Sequence, residues 1–365
     1  MTRADDRPGA PDPAAEPAGG RSRWIDLDGP VHYLDFGGPA RGPVIVCVHG
    51  LGGSAVNWWA IAPLLTGGYR VLAPDLAGHG LTQSLGRGAD VAANRALLHR
   101  FIGSMAASSA TPASSATPAS PATPASPATP ASPATPASPV SPASPASPVI
   151  LIGNSMGGMI SILEASAAPT AVAGMILVDP ALPFAPARPD PVVAGLFALY
   201  ATPGLSRVMM GLRRSQSPEK LVTRILALCC ADSSRVPADV LAQHVEVARQ
   251  RAAFPDTGRD FTTAMRSVIA TVGHARGHAY RRQIRSVTCP VLLLHGSRDR
   301  LVPIAVARAA ARANPSWSLV VLPGVGHVPQ LEAPRDSARV ITDWLGSAGR
   351  PAAQSATPDP PAGAS

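Results

Sequence analysis

Apolar residues along this chain gather in short unbroken runs. Residues 44–48, 69–73, 149–152, 175–178, 291–294 and 318–322 are each rich in Val, Ile, Leu or Ala and bounded by Gly, Pro or Asp on at least one side. Runs of that length predict strands buried on both faces, as in a parallel sheet. Residues 24–28 and 31–35 instead alternate apolar and polar positions around Gly29-Pro30, which predicts an antiparallel hairpin opening the sheet. A helical period appears over residues 55–65 and 90–105, and again from Gly157 through Met159, Ile160, Ile162 and Leu163. Strand and helix therefore alternate, the mark of an α/β fold built on a mostly parallel, eight-stranded sheet.

The alternation breaks twice. From Ala110 the chain repeats A-T-P-A-S-P, then S-P-A, as far as Pro148. Proline at that density blocks helix and ladder hydrogen bonds alike, so residues 107–148 are expected to be a disordered insert and most simply a passive spacer. A glycosylated stalk or a PxxP ligand is the alternative use of such a segment. The second break is residues 182–286, where helical patterns near 192–201, 218–228, 240–250 and 261–272 replace the strands. The core is then expected over 23–106, 149–181 and 287–347. A polar, Pro-rich leader (1–22) and tail (348–365) should be disordered.

Composition narrows the classes. The chain has 365 residues, 46% of them hydrophobic, enough for a full core. A net charge of +8 invites a nucleic-acid partner, but the cations are arginines scattered along the chain, with one lysine, Lys220. They form no stripe interleaved with aromatics, so no nucleic-acid partner is expected. No apolar run is long enough for a transmembrane helix. Four cysteines, two of them the adjacent Cys229 and Cys230, form no disulfide framework, so a reducing, cytoplasmic setting is the default. Oligomeric state leaves no signature.

The chemistry-bearing residues stand at strand ends. Gly153-Asn154-Ser155-Met156-Gly157 fits G-x-S-x-G between a predicted strand and a predicted helix, the setting of a nucleophile elbow. A serine hydroxyl needs a base to take its proton and an acid to orient that base. Asp299 follows the run 291–294 in Gly296-Ser297-Arg298-Asp299, and His327 follows 318–322 in Gly324-Val325-Gly326-His327. The order Ser, Asp, His along the chain is the one that this elbow calls for. Asp179, after the run 175–178, competes with Asp299 for the acid role but reads better as a turn former.

Two other motifs point elsewhere. Gly50-Leu51-Gly52-Gly53-Ser54-Ala55 matches G-x-G-x-x-A, with Asp75 at the next strand end, close to a dinucleotide fingerprint. A hairpin precedes it, however, and that reading leaves Ser155, Asp299 and His327 without a task. His274 and His278 have the spacing of a helical metal pair, but Gly273 and Gly277 make a helix there doubtful and no glutamate completes the motif. Neither cofactor nor metal is expected.

With these motifs the chain resembles the α/β-hydrolase family, esterases and lipases with a helical cap, over residues 24–345 outside the insert and the variable middle. The resemblance implies that the backbone N–H groups of Leu51 and Met156 form the oxyanion hole. It makes His49, Gly50 and Gly52 the supporting loop and residues 182–286 the cap. The apolar cap positions Leu196, Phe197, Leu199, Met209, Met210 and Leu212 are candidate pocket residues, none singled out. The implied activity is hydrolysis of a small-molecule ester or acyl substrate through Ser155, His327 and Asp299. Hydrolysis of a C–C bond in ring-cleavage products is the alternative. Gly-Asn-Ser-Met-Gly-Gly is similar to that group's elbow, but Val328 stands where those enzymes usually have Trp. A ligand-binding member without turnover is a third reading.

Overall fold

The computed structural model describes residues 19–110, 148–184, 190–202 and 204–347. Most of the expected leader, nearly all of the Pro-rich insert and the tail lie outside them. Eight strands form one sheet: β1 (Arg21–Asp26), β2 (Pro30–Asp35), β3 (Val44–Val48), β4 (Arg70–Pro74), β5 (Val149–Asn154), β6 (Val172–Val178), β7 (Val291–Gly296) and β8 (Ser318–Leu322). Their order is β1-β2-β4-β3-β5-β6-β7-β8. β1 and β2 are antiparallel to each other and β2 to β4, while every other pair is parallel.

Alternating side chains of each central strand feed two apolar layers. Val46, Leu72, Leu151, Leu177 and Leu293 face Leu98 and Phe101 of α1 (Val91–Ala110) and Met159 and Ile160 of α2 (Met156–Ala167). Ile45, Val71, Ile152, Ile176 and Leu292 face the other way, onto Trp58, Ile61 and Ile341 of the C-terminal helix at Pro334–Ser347. Burying one such side chain contributes about 1.5–3 kcal/mol. Leu151→Ala, which also leaves a cavity, is expected to cost about 2–5 kcal/mol.

Between β6 and β7 the described residues form six helices: α3 (Pro191–Ala201), α4 (Leu205–Arg214), α5 (Pro218–Cys229), α6 (Ala238–Ala252), α7 (Thr257–Val272) and α8 (His274–Arg285). After β7 come α9 (Ile304–Ala313), α10 (Pro329–Glu332) and α11 (Pro334–Ser347). Four expectations need correction. β1 begins at Arg21, inside the expected leader, because an exposed edge strand such as Arg21-Ser22-Arg23 carries no apolar alternation. Residues 55–65 form two short 3₁₀ turns, Ala55–Trp58 and Ala62–Leu65, with Pro63 at the start of the second. α1 runs on to Ala110, four residues into the expected insert, since Ala107, Ser108, Ser109 and Ala110 include no proline to interrupt it. Residues 274–285 are a helix after all, with Gly273 outside it as N-cap.

Candidate active site

Ser155 sits between β5 and α2 with φ 53° and ψ −115°. Positive φ on a residue with a Cβ costs on the order of 1–3 kcal/mol and persists only where the surroundings fix it. Here they do: Ser155 N donates to Val178 O (3.0 Å), and its carbonyl accepts from Met159 N (3.2 Å) and Ala181 N (3.1 Å). The motif glycines make room for the turn. A Cβ on Gly157 would lie 2.1 Å from Val48 O, and one on Gly153 2.5 Å from Gly157 O. The serine therefore stands over the C-terminal ends of β3 and β5, whereas residues 111–147 join the chain at the opposite end of β5.

The two loops carrying Asp299 and His327 are laced to each other and to the elbow. Ser297 N donates to Leu322 O and Arg298 N to Val325 O, both at 2.9 Å. Asp299 Oδ1 accepts from Leu301 N (2.8 Å) and Val302 N (3.0 Å), and its Oδ2 accepts from His327 Nδ1–H at 2.7 Å. Both side chains are buried. Burial alone would raise the Asp299 carboxyl, but the imidazoles of His327 and His295 and a hydrogen bond from Asp179 hold it below the ordinary carboxylate range. Asn154, the unspecified position of the motif, bridges the groups. Its Nδ2 donates to Val178 O (3.0 Å) and to His327 O (3.1 Å), tying the histidine loop to the residue before Ser155. Nothing in the sequence pattern marked that role. The α5 carbonyl of Cys229 also accepts from His327 N at 2.7 Å, so the helical insertion helps to hold the histidine.

The loop after β3 approaches the serine from the other side. A Cβ on Gly50 would lie 3.1 Å from Ser155 Cβ. His49 is fully buried; its Nδ1–H donates to Gly50 O (2.8 Å) and its Nε2 accepts from Leu76 N (3.0 Å). Accepting at Nε2 fixes the neutral tautomer, and burial holds the imidazole below its usual pKa. Gly53 N donates to the same Gly50 carbonyl at 3.1 Å. With that carbonyl turned away, the trans peptide points the Leu51 N–H in the opposite direction. Among the described residues, neither the Leu51 nor the Met156 N–H has a hydrogen-bond partner. Gly52 has φ 72°, and a Cβ there would come 3.0 Å from the ring of Phe261 on α7. Of the cap positions named above, Leu212 is exposed.

The competing motifs have other tasks here. A 3₁₀ turn follows Gly50–Ser54, where a dinucleotide site needs the N-terminus of a full helix for the pyrophosphate. Asp75 is buried and accepts from Ala55 N (2.6 Å), Leu81 N (2.7 Å) and His32 Nδ1–H (2.7 Å), so it is not open to a ribose. The one trio of metal-type donors found among the described residues is Asp179, His295 and Asp299. Two of its donor atoms are engaged within the protein, Asp299 Oδ2 by His327 and His295 Nε2–H by Val302 O at 2.9 Å, while Asp179 Oδ2 and His295 Nδ1 are not. Asp179 is no plain turn residue. Its carboxyl is fully buried, 3.3 Å from His295 Nε2, while Asp299 is the acid on His327.

Comparison with known proteins fits this architecture. Residues 45–340 match the model of the alpha/beta hydrolase family, and the chain belongs to that family. It is similar to monoacylglycerol lipase abhd6-A of Xenopus laevis, with 20% identity over 86% of this chain and 79% of that one. The 2-hydroxy-6-oxononadienedioate/2-hydroxy-6-oxononatrienedioate hydrolase of Cupriavidus pinatubonensis is 22% identical over 90% and 96% of the two chains. Among solved structures, a serine hydrolase from the polyaromatic hydrocarbon-degrading bacterium Cycloclasticus zankles superposes with a TM-score of 0.61. Its identity is 17%, over 90% of this chain and 98% of that one.

Proposed function

We propose that this hydrolase cleaves a carboxylic ester through Ser155, His327 and Asp299. The observation that carries this is the strained Ser155, with the unpartnered Met156 amide next to it and the Leu51 loop packed against it, together with a buried histidine that a carboxylate holds at 2.7 Å on a loop tied to Asn154. In this reading Ser155 Oγ attacks the ester carbonyl while His327 Nε2 takes its proton, and Asp299 stabilises the imidazolium that forms. The Leu51 and Met156 N–H groups receive the charge that develops on the carbonyl oxygen; losing one such donor costs on the order of 10²–10³ in rate. His327 returns the proton to the departing alcohol, and water, activated by the same base, releases the acid. No step calls on a cofactor. No single helix among the described residues is long and apolar enough to cross a membrane.

The test is hydrolysis of p-nitrophenyl esters of graded acyl length by wild type and Ser155→Ala. Turnover that falls by on the order of 10⁴-fold or more in the variant is the expected result. Equal rates for both proteins on every ester would sink it. C–C bond hydrolysis is the second reading, supported by the elbow sequence and by the Cupriavidus relative. It predicts the reverse preference, with slow ester turnover and rapid cleavage of a dienoate carrying a vinylogous 1,5-diketone.

A further inference from the structure

Behind the candidate triad lies a second carboxyl group that the ester mechanism does not use. Asp179 follows β6 with φ 45°, a left-handed conformation on a residue with a Cβ, and its side chain is completely buried. The backbone is pinned by Asp179 N donating to Leu294 O at 3.0 Å. Its Oδ1 accepts from Gly296 N at 3.0 Å, but its Oδ2 meets no N–H or O–H donor. Atoms of Asp179, Asp299 and His295 all fall within 4.8 Å of one another.

Two ionised carboxylates cannot stand together in such a place. Among the described residues their ion-pair partners are histidines, and His295 is held towards its neutral form, its pKa lowered first by burial. No lysine or arginine among those residues is an ion-pair partner of either carboxyl. The other groups facing the pair from the surrounding elements are His327 from the loop after β8, Glu332 from α10 and Cys229 from α5, whose thiol burial pushes up to about 12. One proton must therefore be shared, and the hydrogen bonds say where it rests. Asp299 accepts three N–H groups and Asp179 one. The carboxyl with fewer donors keeps the proton, and burial beside Asp299 raises it well above the ordinary range.

We propose that Asp179 is a positioning residue for the triad: a neutral carboxylic acid whose O–H donates to the Asp299 carboxylate and holds it against His327. The donated hydrogen bond draws charge away from the oxygen on His327 Nδ1, so the histidine is a weaker base than a lone Asp299 would make it. The strained backbone of Asp179 matches that of Ser155 one strand away, and both are held where the surroundings fix them. The role of Asp179 rests on the serine-hydrolase reading; its protonation does not.

The experiment compares wild type with Asp179→Asn and Asp179→Ala. Asn still donates to Asp299 without charge, so kcat/KM should stay within about threefold and the acid limb of the pH profile should not move. Ala removes the donor; kcat should fall on the order of tenfold with KM little changed, and the acid limb should shift upward in pH. Asp179→Asn losing as much as Asp179→Ala, or an Ala variant with the wild-type profile, would overturn the proposal. Infrared difference spectra of wild type against Asp179→Asn, taken near neutral pH, should contain the C=O stretch of a protonated carboxyl; its absence also overturns it. That spectrum needs no substrate, so a protein inert towards every ester would defeat the functional reading and leave the acid pair to be judged by the spectrum alone.

Discussion

Two Ser-His-Asp sets can be compared among the described residues, and only the Ser155 set stands at strand ends beside a strained serine and unpartnered backbone amides. In the second, Ser22 Oγ–H donates to His32 Nε2 at 2.9 Å, and His32 Nδ1–H donates to Asp75 Oδ2 at 2.7 Å. That last distance equals the one between His327 and Asp299. The His–Asp arms are alike, but the serine arms are not: among the described residues no hydrogen bond joins Ser155 Oγ to His327. Ser22, however, lies within the β1–β2 ladder opposite Leu34, on an extended edge strand. It has no helix start behind it and no strained backbone to push its oxygen forward. Asp75 spends its remaining capacity on Ala55 N and Leu81 N, and His32 N donates to Thr82 Oγ1 at 2.9 Å. The second set is thus a clamp that fastens the hairpin to the loop after β4. What distinguishes the first is the strand-end position and a pair of idle backbone amides beside the serine, features that the three side chains do not supply.

Removing each acid should expose that difference most plainly. Asp299→Ala leaves the Ser155 histidine without its orienting partner, and kcat should fall about 10⁴-fold in ester turnover assays. Asp75→Ala should leave kcat within several-fold for the folded fraction. It strands two backbone N–H groups and a buried imidazole, so urea unfolding should show a loss of about 3–5 kcal/mol. If the effects were exchanged, with Asp75→Ala silencing turnover and Asp299→Ala only softening the fold, the assignment of the two sets would be reversed.

Legibility in the sequence follows the same division. Ser155, Asp299 and His327 were visible because each follows an apolar run that could only be a buried strand. The sheet was visible for the same reason. The clamp was not, because His32 and Asp75 pair across antiparallel strands far apart in sequence and Ser22 sits on an exposed strand without alternation. Asn154 and Asp179 were hidden differently. Their tasks depend on which loops the fold brings within 3 Å or so of them. α4 and α8 were overlooked since glycines at 204, 211, 273 and 277 interrupt the helical period, yet packing against neighbouring helices overrides that propensity.

Around the clamp the histidines also give stability a pH dependence. His79, in the loop after β4, is buried beside His49 with its Nε2 unpartnered. Burial, and then the charges of His49 and Arg251, lower it to about 3. Unfolded, it would titrate near 6.5, so between those values the unfolded chain binds a proton that the native one does not. Stability contributed by the neutral form is complete above about pH 6.5 and is lost as the pH falls, by about 2 kcal/mol at pH 5. Chemical unfolding of His79→Gln at pH 7 and pH 5 should show a pH difference smaller than wild type by about that amount. An unchanged difference would mean that His79 is already accessible to protons in the native state.

The smallest effect is the one that bears hardest on the comparison. Ser22→Ala removes a hydroxyl from a half-open site, so stability should drop by only about 0.5–1.5 kcal/mol, the net worth of one hydrogen bond. Ester turnover should be unchanged, and a fluorophosphonate should label Ser155 in wild type and leave Ser155→Ala unmodified. An adjacent base is the first requirement of a serine nucleophile, and Ser22 has one within hydrogen-bond distance in His32. An attacking oxygen nevertheless creates an oxyanion, and the neighbouring N–H groups of an antiparallel strand pair are turned into the ladder or out to solvent, not towards one point. Label on Ser22 in Ser155→Ala, removed by adding Ser22→Ala, would show that the clamp activates its serine without preorganised amides. The rate of that labelling relative to Ser155 would then measure how much of the reactivity at the elbow comes from its backbone rather than from its histidine.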